Sequence, residues 1–307
     1  MQNDIKFGLQ YKLIAQVKNE SGNLLGDVEI PTELTCDFEI KRSYQPTLNK
    51  SYFKITNLSL DTRAILAKDR FRISQYTKMS FYFGYKDALS LAFTGNIQST
   101  ESYDQGMETI TEIEAVDGAF LTYNTNSNFS LSSSATYKNA LDRLVKNMTD
   151  NARKLNDNFS LAPLGTQAKK ELSQLLPREK TFSGNTWQEI KNTFGDVIFI
   201  DNNTLYYLPI QDKVEEKTVF VLSAETGLLG TPKVSNAVLI VDVITEPTLK
   251  VGDIVELRTT KGDRFSGKQY KVYGISHKGD IGLRATNKVT TTLELYRYGQ
   301  NDIFNIL

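Results

Sequence analysis

The sequence predicts a mainly β protein with a smaller α+β insert, divided into a β module at 1–125, a mixed module at 126–212 and a second β module at 213–307. Three observations support this. Short alternating apolar and polar runs, separated by Gly, Asn and Asp, fill the first 125 residues, and such spacing favours barrels or sandwiches over parallel sheets with crossover helices. Between 126 and 212 the apolar period lengthens from two to the helical 3.6. From Lys217 onward alternation returns and runs to Tyr298. A chain of 307 residues also exceeds the size at which single cores usually stop growing.

The first expected strand is Phe7 to Val17, with Gly22 and Gly26 bracketing a turn before a second run from Leu34 to Ile40. Tyr52 to Ile55 follows. A short helix from about Leu60 to Ala67 comes next, with Ser59 or Asp61 as its N-cap. Met79, Phe81 and Phe83 alternate with Ser80, Tyr82 and Gly84, the pattern of a half-buried strand. Leu91 to Ile97 and Thr109 to Val116 complete the module, and Asp117-Gly118 closes it as a turn.

In the insert, Ala140, Leu141, Leu144, Val145 and Met148 share one helical face within Thr136 to Asn151. A second helix is expected over Thr166 to Leu176, stopping before Pro177, and a third over Thr186 to Phe194 after a Ser183-Gly184-Asn185 turn. Val197 to Ile200 and Leu205 to Leu208 form a hairpin around Asn202-Asn203. The closing module begins with a glycine-bounded apolar loop, Gly227-Leu228-Leu229-Gly230-Thr231-Pro232. Strands follow at Ala237 to Ile244, Asp253 to Arg258, Gln269 to His277, which ends in a Lys278-Gly279-Asp280 turn, and Val289 to Tyr298.

Thirty-six basic residues balance thirty-six acidic ones, so no net field holds nucleic acid or an anionic membrane at long range. One cysteine excludes an intrachain disulfide framework, and Cys36, in a strand-like run, reads as a buried inert thiol. No secretory leader opens the chain, which predicts folding in a cytoplasm. The longest apolar run, 237–244, falls far short of the roughly 20 residues of a spanning helix.

Reactive chemistry is sparse. One Cys and one His cannot make a zinc site, no cofactor is expected, and Asp201-Asn202-Asn203 reads as a hairpin turn rather than a calcium loop. His277, without a nucleophile signature, reads as a strand-end histidine bonded to backbone. Glu112 and Glu114 share a strand face near Asp117 and are the only candidates for paired carboxylates, flanked by Ile110 and Val116. Trp187 reads as core of the insert. The Gly227–Pro232 loop matches neither a Walker loop nor a dinucleotide fingerprint; Leu228 and Leu229 either tuck into the local core or pack against another subunit.

The order of these pieces resembles a known family. The Gly227–Pro232 loop, a strand, the Pro247–Asp253 turn, Tyr270-Lys271-Val272 and His277-Lys278-Gly279-Asp280 are similar to the C-terminal barrel of the baseplate hub proteins of contractile-tailed bacteriophages, Mu-like phages included. Phe53–Ser59, Arg63, Gly84-Tyr85, Phe93–Ile97 and Ala115–Gly118 resemble the N-terminal barrel of the same hubs in the same order. The resemblance implies a structural, non-enzymatic protein with two tail-tube-like barrels flanking the mixed domain. It implies a homotrimer in the virion baseplate, assembled in the host cytoplasm, whose pseudo-sixfold ring joins the sixfold tail tube protein to the threefold central spike protein. Phage DNA passes through the channel without specific binding, Gly227–Pro232 is the candidate subunit or tube contact, and the insert meets other baseplate proteins. The alternatives are a tail-tip hub of a noncontractile phage or related injection particle, and a tail-associated cell-wall hydrolase, for which the chain leaves little room after its last strand.

Overall fold

The computed structural model describes residues 8–18, 23–67, 76–86, 88–214, 219–235, 238–259 and 264–298; the sequence readings at Phe7, Gly22, Lys217 and Ala237 lie outside the described residues. The first segment contains β1 (Leu9–Lys18), β2 (Leu24–Ile30), β3 (Cys36–Ser43), β4 (Lys50–Thr56), α1 (Leu60–Leu66), β5 (Tyr76–Tyr85), β6 (Ala88–Gln105) and β7 (Glu108–Val116). The middle segment contains α2 (Ala119–Asn124), β8 (Asn126–Leu131), α3 (Tyr137–Lys154), β9 (Ser160–Leu161), α4 (Thr166–Leu172), β10 (Lys180–Asn185), α5 (Thr186–Phe194), β11 (Ile198–Asp201) and β12 (Thr204–Tyr207). The last contains β13 (Phe220–Ser223), β14 (Leu228–Ser235), β15 (Val238–Ile244), β16 (Ile254–Arg258), β17 (Lys268–Ile281) and β18 (Val289–Arg297).

The protein is mostly β, and its main sheet is built largely from antiparallel pairs in the order β14-β15-β18-β17-β3-β4-β7-β6-β5-β1-β2. The joint between the first and last segments is the ladder of β17 on β3, running from Gly274 opposite Ser43 to Ile281 opposite Cys36. No closed ring of paired strands is found among the described residues; where separate barrels were expected, one sheet runs across both segments. The second half of the ladder exists because β17 continues through Lys278, Gly279 and Asp280, which the sequence reading assigned to a turn.

Three hydrophobic clusters lie beneath these elements. The first packs Leu13, Phe38, Phe53, Phe81 and Phe93, and takes in Ile281 and Val289 from the far end of the chain. The second gathers Leu141, Leu144, Met148, Phe182, Trp187 and Ile190. The third combines Leu239, Val241, Val255, Val272 and Leu293 with Tyr44 and Phe199. Alternation in β5 buries Met79, Phe81 and Phe83 together, as its sequence implies. α3 buries its predicted stripe and starts at Thr136, whose side chain accepts from the Asn139 N–H while Asn139 accepts from the Thr136 N–H.

Several local expectations are corrected by tertiary contacts. Gly26 lies inside β2, where α1 packs so closely that a Cβ would meet Ile65 Cγ2 at 2.7 Å. Ser183-Gly184-Asn185 is the end of a strand paired with β8, and Asn185 then caps α5. α4 stops at Leu172, because Leu176 donates its N–H to Ala135 O instead of extending the helix.

Buried polar groups tie the segments together. Arg42 is 3% exposed and lies on the inward parity of β3; its guanidinium forks onto Asp201, which is 4% exposed, with Nε to Oδ1 at 2.7 Å. Asn202 and Asn203, both at positive φ, form the turn between β11 and β12, and their N–H groups donate to Asp117. Burial and the neighbouring Asp201 push the Asp117 carboxyl up to about 7. Asp157 accepts from Tyr76, Lys78 and Asn203, and Lys271 donates to the carbonyls of Pro209 and Asp212 at 2.9 and 2.6 Å.

Two outcomes are expected. Arg42→Met leaves Asp201 buried and unpaired and costs about 3–5 kcal/mol in urea unfolding, whereas R42M/D201L recovers most of the loss; equal losses in the two variants contradict the pairing. Because the folded-state pKa of Asp117 is raised, its contribution is fully present below the ordinary carboxylate range and is lost as pH rises toward about 7. The melting temperature of wild type relative to Asp117→Asn should therefore be higher at pH 5 than at pH 8. A gap that is constant with pH contradicts the raised pKa.

Candidate assembly interface

The segment singled out by its two leucines is not a free loop. Thr226 ends a turn in which its Oγ1 donates to Val221 O and accepts from the Ser223 N–H. Gly227, at φ 105°, accepts from the Ile244 N–H at 2.7 Å, and a Cβ there would stand 3.0 Å from Ile244 Cβ. Leu228 and Leu229 then pair with Val243 and Asp242 as the first rungs of β14. The ladder breaks between Leu229 and Lys233, and Gly230, Thr231 and Pro232 occupy the bulge. Strand alternation separates the leucines: Leu228 packs on the third core, while Leu229 stays 42% exposed. A cleft of about 650 Å³ beside them is lined by Val221, Thr226, Pro232, Arg258 and Thr259.

β14 is one terminal strand of a broad sheet whose open face carries charge in rows. One row crosses Lys278, Glu39, Tyr52, Glu114 and Ser99, and the next crosses Asp280, Asp37, Lys54, Glu112 and Glu101. They border a depression of about 550 Å³. Opposite charges are interleaved: Lys41 lies 2.7 Å from Glu39, whose pKa its hydrogen bond lowers, and Lys50 lies 3.8 Å from Glu114. Burial and Asp280 raise the Asp37 carboxyl.

The residues considered for catalysis are not brought together. Glu112 and Glu114 share the open face, with Glu112 accepting from Tyr103 at 2.7 Å, but Asp117 is buried under the Asn202-Asn203 turn. His277 is a mid-strand residue, not a strand end, and is fully buried; its Nδ1 lies 2.8 Å from Thr291 Oγ1 and its ring meets Phe83 edge-on. Burial, with Arg42 nearby, pushes its pKa down to about 3, so it is neutral. Cys36 is fully buried with its thiol pKa raised by burial, and Trp187 packs in the second core. Among the described residues, no group of three or more His, Cys, Asp or Glu is placed to hold a metal ion, and no helix is long and apolar enough to cross a membrane.

Sequence reasoning passed over Arg42, and it read Asp201 only as part of a hairpin turn and Lys271 only as part of a family motif, without their buried roles. The signal at Arg42 was present: it shares parity with Cys36, Phe38 and Ile40 and so points inward. Nothing local marks Lys271, whose carbonyl acceptors lie about sixty residues earlier.

Comparison with known proteins places this geometry. No curated protein matches the chain in sequence. Its fold is similar to that of a tail protein from Neisseria meningitidis MC58, at 11% identity over 94% of this chain and 96% of that one, with a TM-score of 0.60. It is also similar to the 43 kDa tail protein of prophage MuSo2 from Shewanella oneidensis, at 8% identity over 94% and 98% of the two chains, TM-score 0.58. An Escherichia coli protein described as a component of the type VI secretion system, with structural similarity to the T4 bacteriophage tail proteins gp27 and gp5, matches at 12% identity over 87% and 74%, TM-score 0.56. At such identities these are likenesses of fold. The family model described as baseplate hub gp41 matches residues 14–279, most of the sequence, and the chain therefore belongs to the baseplate hub gp41 family.

Proposed function

We propose that three copies of this chain form a pseudo-sixfold ring in the baseplate of a contractile tail, joining the sixfold tail tube to the threefold central spike and enclosing the channel for DNA. The family match over residues 14–279 carries the reading. Each chain brings two β segments, so three copies present six comparable surfaces while keeping threefold order. In this reading the segments at 1–125 and 213–307 are the two barrel-like units, and 126–212 is an insert on the ring's outer or lower side, against other baseplate proteins. The open sheet face suits a conduit, because its interleaved lysines and carboxylates offer no continuous positive track for phosphates.

The role is structural. The histidine and the cysteine are buried, and the carboxylates on the open face are spaced among lysines in a pattern that explains solvation and assembly without a reaction. A spike as partner is supported by the description of the Escherichia coli protein, which likens it to both gp27 and gp5. That fold likeness also favours a second reading, the hub of a related injection particle; mass spectrometry and imaging of purified particles separate the two.

Light scattering and cryo-microscopy of baseplates should show this chain as a trimer, and a monomer within intact baseplates overturns the ring. His277→Ala and E112Q/E114Q should leave no enzymatic phenotype; peptidoglycan cleavage by wild type that either variant abolishes overturns the structural role. The Gly227–Pro232 segment is proposed as a subunit or tube contact, since exposed leucine forgoes about 1.5–3 kcal/mol of burial. L228S/L229S should reduce both folding stability, through Leu228, and assembly, through Leu229, whereas Leu229→Ser alone should weaken assembly with little change in melting temperature. Equal losses of melting and assembly in L229S reject the contact.

A further inference from the structure

We propose that the ring closes by antiparallel pairing of β14 in one copy with the overhanging end of β6, residues 98–105, in the next; this rests on the ring reading above. β6 is unusually long. Its first part, Ala88–Asn96, pairs with β5, and β7 runs along it from Asn96 to Gln105. Beyond Asn96, no strand among the described residues pairs with the second edge of β6. β14, at the far end of the sheet, pairs with β15 alone. Among the described residues, each is therefore an edge whose backbone N–H and C=O groups face no paired strand.

Strand direction makes the two edges compatible. From β14 through β15, β18, β17, β3, β4 and β7 to β6, every neighbouring pair is antiparallel. Eight alternating strands leave β14 and β6 running in opposite directions. A head-to-tail copy thus adds another antiparallel pair at the seam, and the alternation continues around a closed ring without a parallel mismatch.

The side chains match as well. β14, Leu228–Ser235, contains Lys233 and no acidic residue, and exposes Leu229 and Val234. The β6 overhang contains Glu101 and Asp104, both exposed, with Tyr103 between them. Lys233 opposite Ile240 and Glu101 opposite Glu112 lie on the same open face, so Lys233 against Glu101, with the Tyr103 ring on that face as well, favours a β14–β6 seam. A β6–β6 seam would oppose like charges. The bulge at Gly230–Pro232 leaves Lys233–Ser235 as the segment free to pair.

The full-length chain in purified baseplates, treated with a zero-length carbodiimide coupling amines to carboxylates, should give dimers and trimers on a denaturing gel. Peptide mapping should find Lys233 joined to Glu101. Lys233→Glu should weaken self-association about tenfold or more, with the melting temperature unchanged because the side chain is exposed, and the double variant K233E/E101K should restore it. Trimers that form equally well in K233E and give no such cross-link overturn the seam while leaving the ring intact. Absence of any trimer in wild-type particles overturns the ring and the seam together.

Discussion

The architecture depends on one run of backbone pairing, the ladder between β17 and β3. These strands lie more than two hundred residues apart in sequence, and their pairing merges the first and last segments into one sheet. It also fixes how the cores are shared. Ile281 and Val289 enter the first cluster and Tyr44 enters the third, because Ile281 ends β17, Val289 begins β18 and Tyr44 follows β3, at the ends of strands that cross the joint or pair beside it. Separating the two β segments would cost both the ladder and these exchanged apolar contacts.

The polar groups beneath that ladder act on specificity more than on net stability. A buried ion pair such as Arg42 with Asp201 repays little beyond its own desolvation, yet an arrangement that leaves either partner alone is heavily penalised. Only one docking of the β11–β12 hairpin meets all the demands at once. In it Asp201 meets Arg42, the Asn202 and Asn203 N–H groups meet Asp117, the Asn202 side chain meets the Thr94 N–H, and Asn49 reaches Ile200 O. Lys271 repeats the device at the other end of the insert, holding the chain after β12 through its carbonyls. The mixed segment is thereby held in a single orientation against both β segments.

The sites that titrate abnormally serve the same end. Asp117, Lys271 and His277 have shifted pKa values because burial disfavours their charged forms, and each faces the interior of a joint rather than a cleft open to substrate. Shifted pKa values often mark active sites; here they mark seams. What the protein offers to solvent is a sheet face with interleaved charges.

Much was legible in the residues themselves. Alternation at Met79, Phe81 and Phe83, the stripe from Ala140 to Met148, the helix from Thr186 to Phe194 and the Asn202-Asn203 turn are set by forces acting within a few residues, so local pattern determined them. The order of motifs along the chain also identified the hub family. The tertiary structure alone decided that 278–280 continues a strand, that Gly26 sits beneath α1, that Leu228 is inside while Leu229 is outside, and that Arg42 finds Asp201. Each of these depends on a partner between about fifteen and two hundred and forty residues away, and a strand's register or a buried charge's counterion is chosen by what the folded chain brings opposite it, which no local pattern encodes.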